Sequence, residues 1–241
     1  MEDLNLNIVA IDTSGPLASC AVMKDGALAH EIIMNQGLTH SETIMPALDD
    51  CMRAAGIDCR DADCFAAVAG PGSFTGVRIG ICAAKGLAHA WGKPCASVDA
   101  LEALAMNFYG FDGLACPILD ARRGQVYCAA FDMRNGMPQR VLDDDAVEIG
   151  AFLEKLPADR RLVFLGDGLR VHAKVIREKL GERAMIAPAH LRELRAGAVC
   201  VLAEAAREKW MPAQQLVPLY LRIPQAERER NARLNKENAN E

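Results

Sequence analysis

Apolar residues along the chain come in short runs, and two of these runs end at an aspartate. The run "NIVAID" ends at Asp12 and the run "CPILD" ends at Asp120. Each is followed by a second apolar run and then by a tight-turn dipeptide, Asp25-Gly26 in the first half and Asn135-Gly136 in the second. These dipeptides supply the positive φ that short hairpins require. The pattern predicts three strands joined by hairpins at the start of each half.

The second part of each half also follows a common order. The segments "CFAAVAGPG" and "RLVFLGDG" each predict a strand that runs into Gly-x-Gly, at Gly70 and at Gly166. Before the first of these strands, apolar residues four positions apart, Ile44, Leu48 and Met52, predict an amphipathic helix. Each half is therefore predicted to be βββαβα. Two such halves facing each other across a cleft form the α/β, ribonuclease H-like fold of actin, sugar kinases and Hsp70, in which paired hairpin loops grip phosphates.

The repeat defines the domain boundaries. We expect an N-terminal lobe over residues 1–110 and a C-terminal lobe over residues 111–222, with the boundary in the segment "NFYGFDGL". Residues 223–241 alternate in charge and contain almost no apolar side chains. Such a segment buries too little surface to offset its ordering entropy, so we expect a flexible tail. The alternative for this tail is a contact strip for RNA or for a protein partner.

Composition narrows the classes of function. Of the 241 residues, 51% are hydrophobic and 24% charged, as in ordinary globular proteins, and the net charge of −5 argues against a broad basic face for nucleic acid. The acidic, polar start and the lack of a membrane-length apolar run argue against a targeting or membrane-spanning segment. Nine cysteines without a CxxC pair predict reduced thiols in the core, and hence a cytoplasmic protein.

The loops after the two aspartate-ended strands are candidate phosphate-binding loops, because hydroxyls, arginines and backbone N–H groups can cradle an anion. The alternative is that the aspartates cap their own turns and that the arginines are solvated. The candidate residues are Asp12, Thr13, Ser14, Asp120, Arg122 and Arg123.

The segment "GPGSFTGVRIG" is a weak phosphate signal, because it matches neither the P-loop nor the GxGxxG spacing. It opens a predicted helix from Thr75 to Trp91, with Ser73 or Thr75 suited to the N-cap. In that helix Gly76, Gly80 and Ala84 share one face, which indicates that another backbone approaches closely. That backbone belongs either to the same chain or to a second subunit, and we favour the subunit. On this interpretation Gly80→Leu abolishes association and leaves the monomer folded.

Six segments together resemble the bacterial TsaB (YeaZ) family, which takes part in making N6-threonylcarbamoyladenosine in tRNA. They are "AIDTS", "HSETIMPAL", "GPGSFTGVRIG", "ASVDALEALA", "DARRGQVY" and "PLYLR", and the resemblance covers residues 7–222. It implies a non-catalytic subunit for modification at position 37 of ANN-decoding tRNAs. This subunit would pair with the transferase TsaD and the ATPase TsaE, would meet tRNA only through that complex, and would form a homodimer when alone.

The resemblance also implies which residues contact the partner. The two helices that carry "HSETIMP" and "GPGSFTGVRIG" form the contact in the family, and His40 is expected to be structural rather than catalytic. No catalytic residue, metal or cofactor is implied, and ATP or ADP would bind only at the junction with TsaD and TsaE. The implied partner-contact residues are His40, Glu42, Ile44, Met45, Leu48, Phe74, Gly76, Val77, Gly80 and Ala84.

The transferase of this family binds a metal through a His-x-x-x-His motif, and the matching positions here are Ala100 and Leu104. Neither side chain can coordinate a metal. Two rival functions stay open. The first is a small-molecule phosphotransferase that depends on Asp12 or Asp120. The second is a nucleic-acid-binding module that uses Arg122, Arg123 and the tail, although the acidic balance and an aromatic content of only 5% count against it.

Overall fold

A computed structural model describes residues 6–35, 37 and 39–222, so the predicted tail lies outside the described residues. The first half contains β1 (Ile8–Asp12), β2 (Ala18–Lys24), β3 (Ala27–Met34), α1 (His40–Ala55), β4 (Cys64–Gly70), α2 (Phe74–Trp91), β5 (Pro94–Asp99) and α3 (Ala100–Ala105). The second contains β6 (Leu114–Asp120), β7 (Gln125–Asp132), β8 (Gln139–Glu148), α4 (Ile149–Lys155), β9 (Leu162–Leu165), α5 (Leu169–Leu180), β10 (Ala184–Ile186), α6 (Ala196–Ala205) and β11 (Met211–Pro212). The predicted βββαβα order is confirmed in both halves. No helix in the described ranges is long and apolar enough to cross a membrane.

Each half builds its own sheet around the strand that ends in aspartate. The first sheet has the order β11-β5-β4-β1-β2-β3, and the second has the order β10-β9-β6-β7-β8. Strand β1 pairs antiparallel with β2 and parallel with β4, and β6 repeats this arrangement with β7 and β9. Every residue of β1 is buried, because helices cover both faces of its sheet. The loops that follow Asp12 and Asp120 therefore lie at equivalent edges of the two sheets.

The described residues form three apolar cores, of which one joins the two lobes. One lies under α1 and α2 on the outer face of the first sheet, and another lies under α4 and α5 on the outer face of the second. The third lies between the lobes and combines side chains from both sheets with α3 and α6. Because this third core is shared, the lobes pack on each other directly behind the cleft.

The end of the described chain returns to the first lobe, which corrects the range 111–222 predicted for the second. Helix α6 packs on β1 and β2, and β11 pairs with β5 at the edge of the first sheet. The cause is the composition of α6: Ala196, Val199, Cys200 and Leu202 are all buried, so this helix needs apolar neighbours on several sides. It finds them in the core between the lobes.

The cysteines serve largely as small core residues. All nine are free thiols, and seven of them are buried. Cys82, on α2, is exposed, and Cys59 is half-buried. The prediction of reduced thiols in the core is confirmed for the seven buried residues.

Candidate functional site

A cleft of about 590 Å³ lies between the lobes where the two aspartate-ended strands finish. Its first wall is formed by the loop after β1 and by the N-terminus of α2. Its second wall is formed by the loop after β6, and its third by the chain segment 219–222, which crosses the mouth. The lining residues include Ser14, Ser73, Phe74, Thr75, Asp120, Arg122, Arg123, Asp167, Tyr220 and Arg222. Four of the six candidate phosphate-loop residues, Ser14, Asp120, Arg122 and Arg123, thus line one cleft.

The loop after β1 is closed by hydrogen bonds within the chain. Ser14 N donates to Asp12 Oδ1 over 2.8 Å, and Thr13 Oγ1 donates to the carbonyl oxygen of Gly76 over 2.7 Å. The backbone N–H of Ser73 donates to the carbonyl oxygen of Ser14 over 2.7 Å. Asp12, Thr13 and Ser14 are accordingly at most 3% exposed. Asp12 Oδ1, Thr13 Oγ1 and the backbone of Ser14 are thus engaged within the chain, which supports the turn-capping alternative for Asp12.

Asp12 is an ionisable group held in an apolar setting. Burial raises the pKa of its carboxyl to about 6, although the hydrogen bonds from Ser14 and the charge of His40 lower it. His40 lies close because its Nε2 donates to the carbonyl oxygen of Gly15 over 2.9 Å. This hydrogen bond ties the start of α1 to the loop after β1.

This raised pKa makes the contribution of Asp12 to stability depend on pH. The ordinary aspartate value is 3.8, so the folded state prefers the protonated carboxyl. Its contribution is fully present below pH 3.8 and is lost as the pH rises through about 6. The loss amounts to roughly 2–3 kcal/mol. We therefore expect the unfolding free energy of Asp12→Asn, measured in urea, to rise relative to that of the parent protein by this amount from pH 4 to pH 7.5. The exposed Asp143→Asn variant is the control, and parallel pH profiles for Asp12→Asn and the parent would contradict the prediction.

The glycine stripe of α2 faces the protein's own sheet, which makes its interpretation as a subunit contact wrong. A Cβ atom on Gly76 would overlap the backbone carbonyl oxygen of Thr13, and one on Gly80 would lie 2.6 Å from Thr13 Oγ1. The small residues exist because α2 crosses the loop after β1 at close range. Six of the implied partner-contact residues are buried within the chain: Ile44, Leu48, Gly76, Val77, Gly80 and Ala84.

The loop after β6 differs from its counterpart because its arginines remain exposed. Arg122 and Arg123 have φ of 63° and 56°, a left-handed conformation that turns the loop out of the sheet. Arg122 Nη1 lies 3.5 Å from Asp120 Oδ2, and the backbone N–H of Arg122 donates to Asp120 Oδ1 over 2.8 Å. Burial raises the pKa of the Asp167 carboxyl, which accepts a hydrogen bond from the backbone N–H of Asp120. The second wall of the cleft is therefore basic at its rim and acidic at its floor.

A C-terminal strap, residues 214–222, closes one side of the cleft. Lys85 Nζ on α2 donates to the carbonyl oxygens of Gln214 and Leu216, and Leu219 N donates to the carbonyl oxygen of Ala69 over 2.7 Å. The strap then reaches the second lobe, where Arg222 Nη1 donates to the carbonyl oxygen of Ala121 over 3.0 Å. It therefore joins α2 to the arginine-bearing loop.

Comparison with known proteins agrees with this architecture. Residues 31–230 match the family model described as TsaD, tRNA N6-adenosine threonylcarbamoyltransferase. Over 223 residues the chain is 35% identical to the tRNA threonylcarbamoyladenosine biosynthesis protein TsaB of Bacillus subtilis (strain 168), which covers 92% of this chain and 96% of that protein.

The chain belongs to the TsaB family.

Solved structures show the same fold. A crystal structure described as an uncharacterized protein with similarity to peptidase YEAZ from Pseudomonas aeruginosa has a TM-score of 0.78 and 26% identity. A second, described as YeaZ from Pseudomonas aeruginosa, has a TM-score of 0.75 and 25% identity. Each match covers 90% of this chain and 100% of the other. The predicted two-lobed actin-like fold is confirmed, as is the resemblance to the TsaB family.

At the two positions that match the histidines of the transferase motif, this chain has apolar side chains. Ala100 and Leu104, at the matching positions of α3, are completely buried. Leu104 lines a small cavity between the lobes beside Asp12, together with Asp167 and Glu193. Within the described ranges no group of three or more His, Cys, Asp or Glu side chains is placed to hold a metal ion. The residues present therefore do not fit the metal of the transferase.

Sequence reasoning missed the strap as a part of the site. Tyr220 stacks on Phe74 with ring centroids 4.8 Å apart, and its Oη accepts a hydrogen bond from Arg78 Nε over 2.8 Å. The sequence contains one signal for this segment, the family motif "PLYLR", but nothing local connects a C-terminal tyrosine with the first turn of α2. Of the implied contact residues, Glu42 and Met45 are exposed, and His40 and Phe74 are half-buried.

Proposed function

We propose that this chain is a non-catalytic, cytoplasmic subunit for threonylcarbamoyladenosine modification of tRNA. It pairs with a TsaD transferase and works with a TsaE ATPase. The names of its relatives, TsaB and the TsaD family model, support the pathway. The absence of fitting metal ligands at Ala100 and Leu104, together with the closed loop at Asp12, supports a role without chemistry.

The observation that carries the proposal is the outer surface of α2. Gly86 lies in the middle of this 18-residue helix, and a Cβ atom there would meet nothing within 4 Å. A helix-interior glycine costs about 0.5–1 kcal/mol relative to alanine, and nothing in the described part of this chain requires it. Ile79, Cys82 and Ala83 precede it at helical spacing and share its face. Such a low-bulk face suits close approach by a helix of another subunit.

The neighbouring helix extends this surface. Met45 on α1 is 42% exposed although it is a large apolar residue, and α1 packs beside α2 on the same face of the first sheet. We define the α1–α2 face as the exposed or half-buried residues His40, Glu42, Met45, Ile79, Cys82, Ala83 and Gly86. Its apolar centre and polar edge match the anatomy of a protein interface. In the proposal this face docks TsaD, and in the absence of TsaD it docks a second copy of the chain.

Co-purification tests the proposal. We expect the full chain to elute from size-exclusion chromatography with TsaD of the same organism, and tRNA modification by TsaD and TsaE to require the chain. Omitting the chain is the control for activity. A complex that fails to form, or modification that proceeds equally without the chain, would reject the proposal.

The rival phosphotransferase function is tested with the same protein. A phosphotransferase must bind ATP and magnesium and must turn over on its own, with a dependence on Asp12 or Asp120. We expect isothermal titration calorimetry of the isolated chain to detect no ATP-dependent heat, because the loop after β1 is closed by Ser73 and Gly76. Binding that Asp12→Asn abolishes would favour the rival.

A further inference from the structure

The rim of the cleft carries arginines from two separate segments. Arg122 and Arg123 project from the loop after β6, and Arg222 reaches the same loop from the strap. Among the residues that the structure describes, Arg123 has no carboxylate within ion-pair distance, and Arg122 has only the 3.5 Å contact with Asp120. Positive charge is therefore concentrated at one edge of a protein whose net charge is −5.

An aromatic platform lies at the same mouth, on the strap that also carries Arg222. Tyr220 is 41% exposed and stacks on Phe74 at 24° between ring planes. Arg78 fixes the pair, since its guanidinium lies 3.7 Å from the Phe74 ring centroid and donates to Tyr220 Oη. Because the tyrosine is held on one side and exposed on the other, it can accept a further planar group.

The floor of the cleft is unsuited to the phosphates of a mononucleotide. On the wall formed by the loop after β1, Ser14 N is already bonded to Asp12 Oδ1, and on the opposite wall Asp120 and Asp167 present carboxyl groups. Carboxylates repel phosphate oxygens but accept hydrogen bonds from base amino groups and from 2′-hydroxyls. Phosphates would lie at the arginine rim, and bases would point toward the platform and the floor. This is the arrangement of a single-stranded nucleic acid that crosses a groove.

We infer that the arginine rim and the Tyr220 platform bind a single-stranded segment of tRNA, the anticodon loop, within the assembled complex. The inference rests on the proposed function, which brings that loop to the partner subunit. The phosphates contact Arg122, Arg123 and Arg222, and one base stacks on Tyr220. The chain's acidic balance restricts this contact to the complex, in which other subunits supply the rest of the RNA-binding surface.

The test measures RNA binding by the reconstituted complex of this chain, TsaD and TsaE. Fluorescence anisotropy of a labelled anticodon stem–loop RNA is recorded over a series of KCl concentrations. Replacing both loop arginines by asparagine, Arg122→Asn with Arg123→Asn, keeps a residue type that tolerates positive φ. We expect about 10-fold weaker binding, and a slope of log K against log [KCl] that is smaller by about 1.4, since each single-strand phosphate contributes about 0.7. Tyr220→Leu should weaken binding about 10-fold, whereas Tyr220→Phe, which retains the stack, should not.

A matched control removes two charges elsewhere. Lys174 and Arg177, on α5 of the second lobe, do not line the cleft, and Lys174→Gln with Arg177→Gln should leave the slope unchanged. An unchanged slope for the loop variant in an intact complex would overturn the RNA inference and leave the proposed function standing. The inference would also be overturned if the loop variant lost ATP binding but kept RNA affinity, because the cleft would then serve a nucleotide. If the parent chain forms no complex with TsaD, the proposed function itself fails.

Discussion

Gly76→Ala is expected to destabilise the folded monomer by about 3 kcal/mol or more, a large fraction of the 5–15 kcal/mol that holds a typical domain together. The added methyl would overlap the backbone carbonyl oxygen of Thr13, which cannot move away as a side chain could. Moving α2 outward would also break the hydrogen bond from Thr13 Oγ1 to the Gly76 carbonyl. Urea unfolding followed by circular dichroism measures the loss.

Substitutions at two other glycines of α2 are expected to change the stability of the monomer by different amounts. At Gly80 the new atom would lie 2.6 Å from a side-chain oxygen, so Gly80→Ala should cost less than Gly76→Ala, while Gly80→Leu should unfold the chain. At Gly86 no atom lies within 4 Å, so Gly86→Ala should stabilise the monomer by about 0.5–1 kcal/mol. Equal stability of Gly76→Ala and the parent protein would mean that α2 does not lie against the loop after β1.

The strands and helices could be predicted because their signals are local. Asp25-Gly26 and Asn135-Gly136 specify hairpins, and the apolar spacing in α1 specifies an amphipathic helix, whatever surrounds them. The repetition of these signals in one order predicted the two-lobed fold. The return of the chain through α6 and β11 to the first sheet carried no such signal, because it depends on contacts distant in sequence.

The orientation of α2 is where sequence reasoning went wrong. This helix has two faces of small residues, one with Gly76 and Gly80 and one with Cys82 and Gly86. A glycine stripe indicates a close neighbour but does not identify it. The larger apolar residues Val77 and Ile81 lie beside the first stripe and are buried with it, so they marked the core face in the sequence as well. Residues of the loops after Asp12 and Asp120 line one cleft, but the closure of one loop and the exposure of the other follow from long-range hydrogen bonds.

The second large effect is expected at the opposite face of α2. Gly86→Arg should weaken association with TsaD about 100-fold or more, because a long charged side chain would be forced into a close helix–helix contact and lose its hydration. The same substitution should not harm the monomer. Arginine has a higher helix propensity than glycine, and the position is open, so the unfolding free energy should rise by about 0.5–1 kcal/mol.

If Gly86→Arg is more stable than the parent protein but binds TsaD more weakly, a folding defect cannot explain the weaker binding, and the substituted position must lie on the docking surface. Val171→Arg is the matched control, since it places the same side chain on α5, where valine is 63% exposed. Calorimetric titration of TsaD into each variant gives the dissociation constants, and light scattering shows whether a homodimer is lost in parallel. If Gly86→Arg bound TsaD as tightly as the Val171→Arg control, the α1–α2 face would not be the docking surface. The exposed glycine at position 86 would then have no explanation in partner binding.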